Sequence, residues 1–200
     1  MIRMIVFDLG GVFVRVNSEE TVRRLKSRCI GLTENEIADV LFRSETAIAY
    51  ELGKMDSTGF IEAVRLRMPI RISDEEFGNA WSDIFTLNQS MADLLPKLAR
   101  QWRLGMISNT NAMHIERIRA DYDLLRFFDP VIFSHEVGLM KPNEAIFRLL
   151  LEKTGLSAEE CAFVDDTPGH VEAAMKMGLK GFVFRDKDTL LETFRLNGMI

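Results

Sequence analysis

Met4-Ile5-Val6-Phe7-Asp8-Leu9-Gly10-Gly11-Val12 is the stretch whose reading decides the fold. Four apolar residues run straight into an aspartate, and two glycines follow. The run has no polar alternation and is short for a helix, so it predicts a buried strand covered on both faces. Asp8 then stands at the carboxyl end of that strand, where parallel α/β sheets place their ligand crevice. Gly10 and Gly11 predict a sharp turn whose backbone comes close to whatever binds there, and a side chain at Gly10 is expected to strain it.

Three later stretches give this opening its meaning. Leu104-Gly105-Met106-Ile107-Ser108-Asn109-Thr110-Asn111 predicts a second strand ending in hydroxyls and amides. Gly138-Leu139-Met140-Lys141-Pro142 sets a lysine just ahead of a helix. Cys161-Ala162-Phe163-Val164-Asp165-Asp166 predicts a third strand, ending in paired carboxylates. An aspartate, a hydroxyl, a lysine and an acidic pair, in that order, resemble the four motifs of the haloacid dehalogenase (HAD) superfamily of phosphohydrolases. The motifs span most of the chain, from Asp8 to Asp166. The match departs from the family at Gly10, where most phosphatases of the superfamily carry a second aspartate.

From about Ser18 to Phe85 the sequence shows helical stripes and no good strand. Val22, Leu25 and Cys29 share one face. Thr33-Glu34-Asn35-Glu36 and Ser73-Asp74-Glu75-Glu76 read as capping boxes, the first ahead of Ile37, Val40 and Leu41, the second ahead of Phe77, Trp81 and Ile84. Phe60, Ile61, Val64 and Met68 make another stripe. After Asn88 a stripe of Met91, Leu94, Leu95 and Leu98 predicts one helix. Strand and helix then alternate over 103–108, 112–121, 131–134, 143–154, 161–165, 168–177, 181–184 and 188–196. The predicted fold is α/β, a Rossmann-like parallel sheet with helices on both faces and an inserted all-helical cap. The expected division is a core domain of residues 1–15 and 88–200 and a helical cap of residues 16–87.

Two hundred residues suffice for one core with a small accessory domain. A formal net charge of −5, with no basic stretch, argues against a nucleic-acid partner. No apolar run approaches the ~18 residues of a membrane span, and no signal-peptide pattern precedes the first strand, so a cytoplasmic protein is expected. The two cysteines, Cys29 and Cys161, read as reduced thiols. A small phosphorylated substrate is the expected partner, and the protein is expected to be a monomer or homodimer.

The resemblance implies phosphoryl transfer to a carboxylate. Asp8 would be the nucleophile, and Lys141 would neutralise it together with the phosphate. Ser108, the Asn109 backbone and Gly11 would hold phosphate oxygens. Mg²⁺ would be held by Asp8, the Gly10 carbonyl and Asp166, with Asp165 behind them or acting through a bound water. In the family a cap loop with a Glu-x-Gly turn faces the site, which makes Glu51, in Tyr50-Glu51-Leu52-Gly53, a candidate substrate contact. Of His114, His135 and His170, only His135, ahead of Lys141, stands out. Glycine at position 10 can neither protonate the leaving oxygen nor activate water, tasks worth about 10²–10⁴-fold. A bound water or Glu51 could stand in.

The reading that follows is a Mg²⁺-dependent phosphatase of small metabolites, sugar phosphates among the candidates, because a subgroup with Asp-Leu-Gly motifs resembles hexose-phosphate phosphatases. Two alternatives use the same scaffold. A 2-haloacid dehalogenase also lacks the second aspartate but needs no metal, and a binding module would have lost turnover with the general acid.

Overall fold

Met4, Ile5, Val6 and Phe7 are all fully buried, and they form the central strand, β1 (Met4–Phe7), of the computed structural model, which describes residues 1–200. The chain continues through β2 (Val14–Val16), α1 (Ser18–Lys26), α2 (Glu34–Ala38), α3 (Glu45–Glu51), α4 (Ser57–Arg67) and α5 (Asp74–Ser82). Then come β3 (Phe85–Leu87), α6 (Gln89–Ala92), α7 (Leu95–Leu98), β4 (Arg103–Ser108), α8 (Ala112–Asp121), β5 (Val131–Phe133) and α9 (Ser134–Val137). The last elements are α10 (Glu144–Thr154), β6 (Cys161–Asp165), α11 (Pro168–Lys176), β7 (Lys180–Val183) and α12 (Lys187–Leu196).

β5, β4, β1, β6 and β7 form one parallel sheet in that order. Successive side chains of a strand point to opposite faces. Ile5 and Phe7 therefore pack into one apolar cluster, with Leu95, Met106 and Phe194, while Met4 and Val6 pack into another, with Ile107, Phe147 and Phe163. Burial on both faces explains why β1, β4 and β6 read as unbroken apolar runs. The chain leaves β1 toward β4 on one side and later returns to β6 on the other, so the crevice at the carboxyl ends of β1 and β6 is the switch point of the sheet.

Between β2 and β3 lies a helical block with its own apolar cluster, including Leu25, Leu41, Phe60, Val64, Phe77 and Trp81. Both predicted capping boxes form: Thr33 and Glu36 bond reciprocally at the start of α2, and Ser73 and Glu76 at the start of α5. A π-helical stretch, Asp39–Arg43, interrupts the α-helical course after α2. The sequence gives no sign of this. Nor does it announce β2 and β3, which pair antiparallel with Val14 opposite Leu87 and Val16 opposite Phe85. Asn17 N donates to Ile84 O at 2.9 Å and Asn88 N to Phe13 O at 2.8 Å, closing the ribbon at both ends. The stripe Met91–Leu98 forms two short helices rather than one, with Pro96 in the first turn of the second.

Phe60 lies at the centre of the helical block. Its ring stacks on Tyr50 at 4.4 Å and sits 5.0 Å from Trp81 and 6.2 Å from Phe77. Phe60→Ala would empty that centre and is expected to cost about 3–5 kcal/mol. Urea unfolding followed by tryptophan fluorescence measures it. A loss below ~1 kcal/mol would show that the block repacks freely around the vacancy.

Candidate active site

The register of the sheet builds the site. Phe7 pairs with Val164, so the next residues on each strand, Asp8 and Asp165, emerge side by side at the carboxyl ends of β1 and β6. Asp8 N donates to Val164 O at 2.9 Å, which holds the turn against the neighbouring strand. Lys141 reaches between the two acids. Its ammonium lies 2.9 Å from Asp8 Oδ1 and 2.6 Å from Asp165 Oδ2, and its side chain is wholly buried. A buried ammonium survives only with close anionic partners.

Two contacts orient Asp8 and Lys141. Leu9 N donates to Asp8 Oδ1 at 2.7 Å. Asn109 holds the lysine by its backbone: Asn109 Nδ2 donates to Lys141 O and Lys141 N donates to Asn109 Oδ1, both at 2.8 Å. The Asn109 side chain is thus a clamp on Lys141, a role the sequence did not suggest. The adjoining loop is tied in similarly, with Thr110 N donating to Ser134 Oγ at 2.9 Å and Ser134 Oγ donating to Thr110 O at 3.0 Å.

The acids differ in environment. Burial pushes the Asp8 carboxyl up to about 6, with the Lys141 ammonium pulling the other way. Burial also works against charge on Asp165, but hydrogen bonding to His170 and the Lys141 ammonium overcome it and hold Asp165 at about 2. His170 Nδ1 sits 3.1 Å from Asp165 Oδ2, and Thr167 N donates to Asp165 Oδ1 at 2.8 Å. His170 is therefore the histidine at the site, where the sequence had singled out His135. It lies in the first turn of α11, five residues after Asp165, close enough to fold back on the strand end. His114 is half-buried instead between the helical block and the core, stacked on Trp81 at 5.0 Å, and desolvation there lowers its pKa to about 4. His135 presents its carbonyl to the helical block: a Cβ on Gly53, whose φ is +65°, would lie 2.0 Å from His135 O.

Oxygen atoms of Asp8 and Asp165 and a His170 nitrogen lie within 4.8 Å of one another. The two carboxylates of that trio already hold a cation, the Lys141 ammonium. Asp166 is placed differently. It is exposed, and its carboxylate presses on the turn after Asp8 so closely that a Cβ on Gly11 would lie 2.0 Å from Asp166 Oδ2. Partial burial and the charge of Asp165 raise its pKa. Crowded carboxylates beside a backbone turn make a hard-oxygen donor set, the chemistry that small divalent cations such as Mg²⁺ favour.

Gly10, Glu51, Ser108 and Asn109 line one cavity of about 730 Å³ between the core and the helical block. Ser108 is almost completely buried, and Glu51 is half-buried with its pKa raised by burial. Gly11 faces Asp166 rather than that cavity.

A family profile described as haloacid dehalogenase-like hydrolase matches residues 2–178, and the chain belongs to that family. It is 25% identical over 191 residues to a D-ribitol-5-phosphate phosphatase of Bacteroides thetaiotaomicron, covering 91% of each chain. Its fold superposes with a TM-score of 0.85 on a HAD family enzyme from the same organism solved with magnesium and inorganic phosphate, at 23% identity over 95% of this chain and 99% of that one. The fold also matches a HAD-like family hydrolase of Porphyromonas gingivalis, with a TM-score of 0.85, 28% identity and 98% of each chain covered. The protein is a hydrolase, and no helix in it is long and apolar enough to cross a membrane.

The two glycines of the turn are not equivalent, and this corrects the expectation for Gly10. Gly11 has φ +71°, whereas Gly10 is not among the positive-φ glycines, and the nearest atom to a Cβ there would be Val16 Cγ2 at 3.6 Å. Gly11→Ala is expected to lose ~1–2 kcal/mol to the left-handed backbone, besides displacing Asp166. Gly10→Ala should leave stability unchanged or raise it by about 0.4–1 kcal/mol. Urea midpoints for the two variants provide the comparison, and equal losses would mean that the turn needs both glycines.

Proposed function

We propose that this protein is a Mg²⁺-dependent phosphatase of small phosphorylated metabolites, with sugar phosphates as the favoured class, working through an aspartyl-phosphate on Asp8. The observation that carries the reading is the buried Lys141 ammonium bridging Asp8 and Asp165. It keeps a nucleophilic carboxylate in place and offers a fixed positive charge to an incoming dianion.

A phosphate monoester resists attack because its oxygens repel an anionic nucleophile, so catalysis is chiefly positioning and electrostatics. An Asp8 oxygen attacks phosphorus, and the bond to the leaving oxygen breaks as the new P–O bond forms. Lys141 neutralises Asp8 and the phosphate together. Ser108 and the Asn109 backbone hold phosphate oxygens, with the Gly11 backbone close by, while Asn109 keeps the lysine aligned. Asp8, Asp166 and the Gly10 carbonyl would hold Mg²⁺, whose charge relieves the repulsion between nucleophile and phosphate when bound. Asp165 serves Lys141 first, with His170 and Thr167 N holding it charged. The block of residues 16–87 acts as the cap, and the cavity beneath it takes the part of the substrate beyond the phosphate. The likeness to a sugar-alcohol phosphate phosphatase supports a polyol or sugar there.

Glycine at position 10 also suits a metal-free 2-haloacid dehalogenase. The acidic pair Asp165-Asp166 favours the metal enzyme.

Release of inorganic phosphate from a panel of sugar and polyol phosphates tests the reading. Asp8→Asn is expected to lower turnover by roughly 10⁴–10⁶-fold, the scale of removing a nucleophile. Wild-type turnover by Asp8→Asn would end the proposed mechanism. The metal is tested separately. EDTA should abolish phosphate release and added Mg²⁺ restore it, and Asp166→Asn should raise the Mg²⁺ concentration needed for half-activation. Phosphate release that survives thorough chelation would end the metal dependence, and halide release from a 2-haloacid without phosphate release would favour the dehalogenase reading.

A further inference from the structure

Each acid around Asp8 has an assigned place. Asp8 is the nucleophile, Asp165 is bonded to Lys141 and His170, and Asp166 lies against Gly11. None of these is free to give a proton to the leaving oxygen, and Gly10 has no side chain to do so. The cavity that Gly10 and Ser108 line contains three further carboxyls, on Glu19, Glu34 and Glu51. Glu19 and Glu34 are solvent-exposed, on α1 and beside Thr33 at the start of α2. Glu51 alone is half-buried.

Glu51 is also the one that both flanks fix to the core. Its neighbour Tyr50 accepts a hydrogen bond at 3.2 Å from the N–H of Met113, at the start of α8, just past Ser108-Asn109-Thr110-Asn111. Two residues on, Gly53 is pressed against the His135 carbonyl, with no room for a Cβ. Between these anchors, Glu51 lines the same cavity as Ser108, Asn109 and Thr110, the loop proposed to bind phosphate. Its carboxyl has no basic partner acting on it, and burial raises its pKa. Its place at the carboxyl end of α3, the negative end of the helix dipole, further disfavours the anion.

We propose that Glu51, reaching down from the cap, is the catalytic acid that position 10 lacks. This rests on the phosphatase reading above. As Asp8 attacks, the phosphorus–oxygen bond of the ester breaks, its electron pair passes to the leaving oxygen, and the Glu51 proton moves onto that oxygen to give the alcohol. The Glu51 carboxylate then takes a proton from the water that attacks the aspartyl-phosphate, so phosphate is released, Asp8 is regenerated and Glu51 is again neutral. An acid on the cap is present only when the cap lies over the core, so proton delivery is coupled to closure over the bound substrate.

The test is the dependence of rate on leaving-group pKa, measured in single turnovers with a series of aryl and alkyl phosphates. With an acid in place the wild-type slope should be shallow. Glu51→Gln keeps the shape of the side chain and removes the proton. Alkyl phosphates should slow by about 10²–10⁴-fold, with the loss shrinking as the leaving group becomes more acidic, so that the slope steepens. Gly10→Asp added to Glu51→Gln should flatten it again, since a Cβ at Gly10 meets only Val16 at 3.6 Å. This second variant also shows that any loss in the first is not misfolding. A steep slope already in the wild type, or the same loss in Glu51→Gln for every ester, overturns the proposal while leaving an Asp8-dependent phosphatase intact. Failure of the wild type to release phosphate from any ester overturns the phosphatase reading and this proposal together.

Discussion

The Lys141 ammonium, sealed between Asp8 and Asp165, is the interaction on which the rest of the site depends. Its side chain has no contact with water, so its charge must be met by the protein. That requirement fixes the spacing of β1 and β6, because both carboxylates must arrive within hydrogen-bond reach of one nitrogen. It fixes the loop after β4 as well, since Asn109 holds the lysine backbone from there. Three strands and the segment before α10 are thereby committed to one geometry. Losing the ammonium would leave two buried acids facing each other, an arrangement costing several kcal/mol.

How much of this could be read from the chain depended on range. The apolar runs ending in Asp8, Ser108 and Asp165 were legible because strands buried on both faces have a distinctive composition and their ends have a known use. The capping boxes at Thr33 and Ser73 were legible because the bonding is local, between residues three apart. Contacts between distant residues were not. Asn109 looks like any turn residue until the fold brings Lys141 beside it. His170 looks like a helix residue until α11 turns it back onto Asp165. β2 and β3 are three residues each, too short to show a period, and exist because they find one another. Gly10 and Gly11 look alike in sequence, and only backbone angles separate them.

The helical block meets the core through contacts of mixed character. Tyr50 shares its hydroxyl between Ser57, in the block, and the Met113 N–H, in the core. Trp81 stacks on His114, whose Nε2 lies 3.2 Å from the Trp81 carbonyl. Asp83 bonds to Arg24 on one side at 2.8 Å and to Arg117 on the other at 3.3 Å. The aromatic contacts are buried and close-packed, while the ion pairs are exposed and contribute little. Most of the adhesion therefore comes from the aromatic and histidine contacts around Trp81, next to the cavity.

The ribbon of β2 and β3 has an architectural consequence. Because Val14 is paired with Leu87 and Val16 with Phe85, the chain leaves the sheet and re-enters it at a single closed seam. Whatever is threaded between those ends starts and finishes a strand's width apart. The entropy of closing such an excursion grows only logarithmically with its length. Seen from the sheet, the helices are thus modular cargo on a standard fitting, and a longer, shorter or differently shaped insert could be spliced at this seam without disturbing Asp8 or its neighbours. The sheet can then stay constant over evolution while the insert varies, with the acid proposed at Glu51 the one part of the chemistry that travels with the insert.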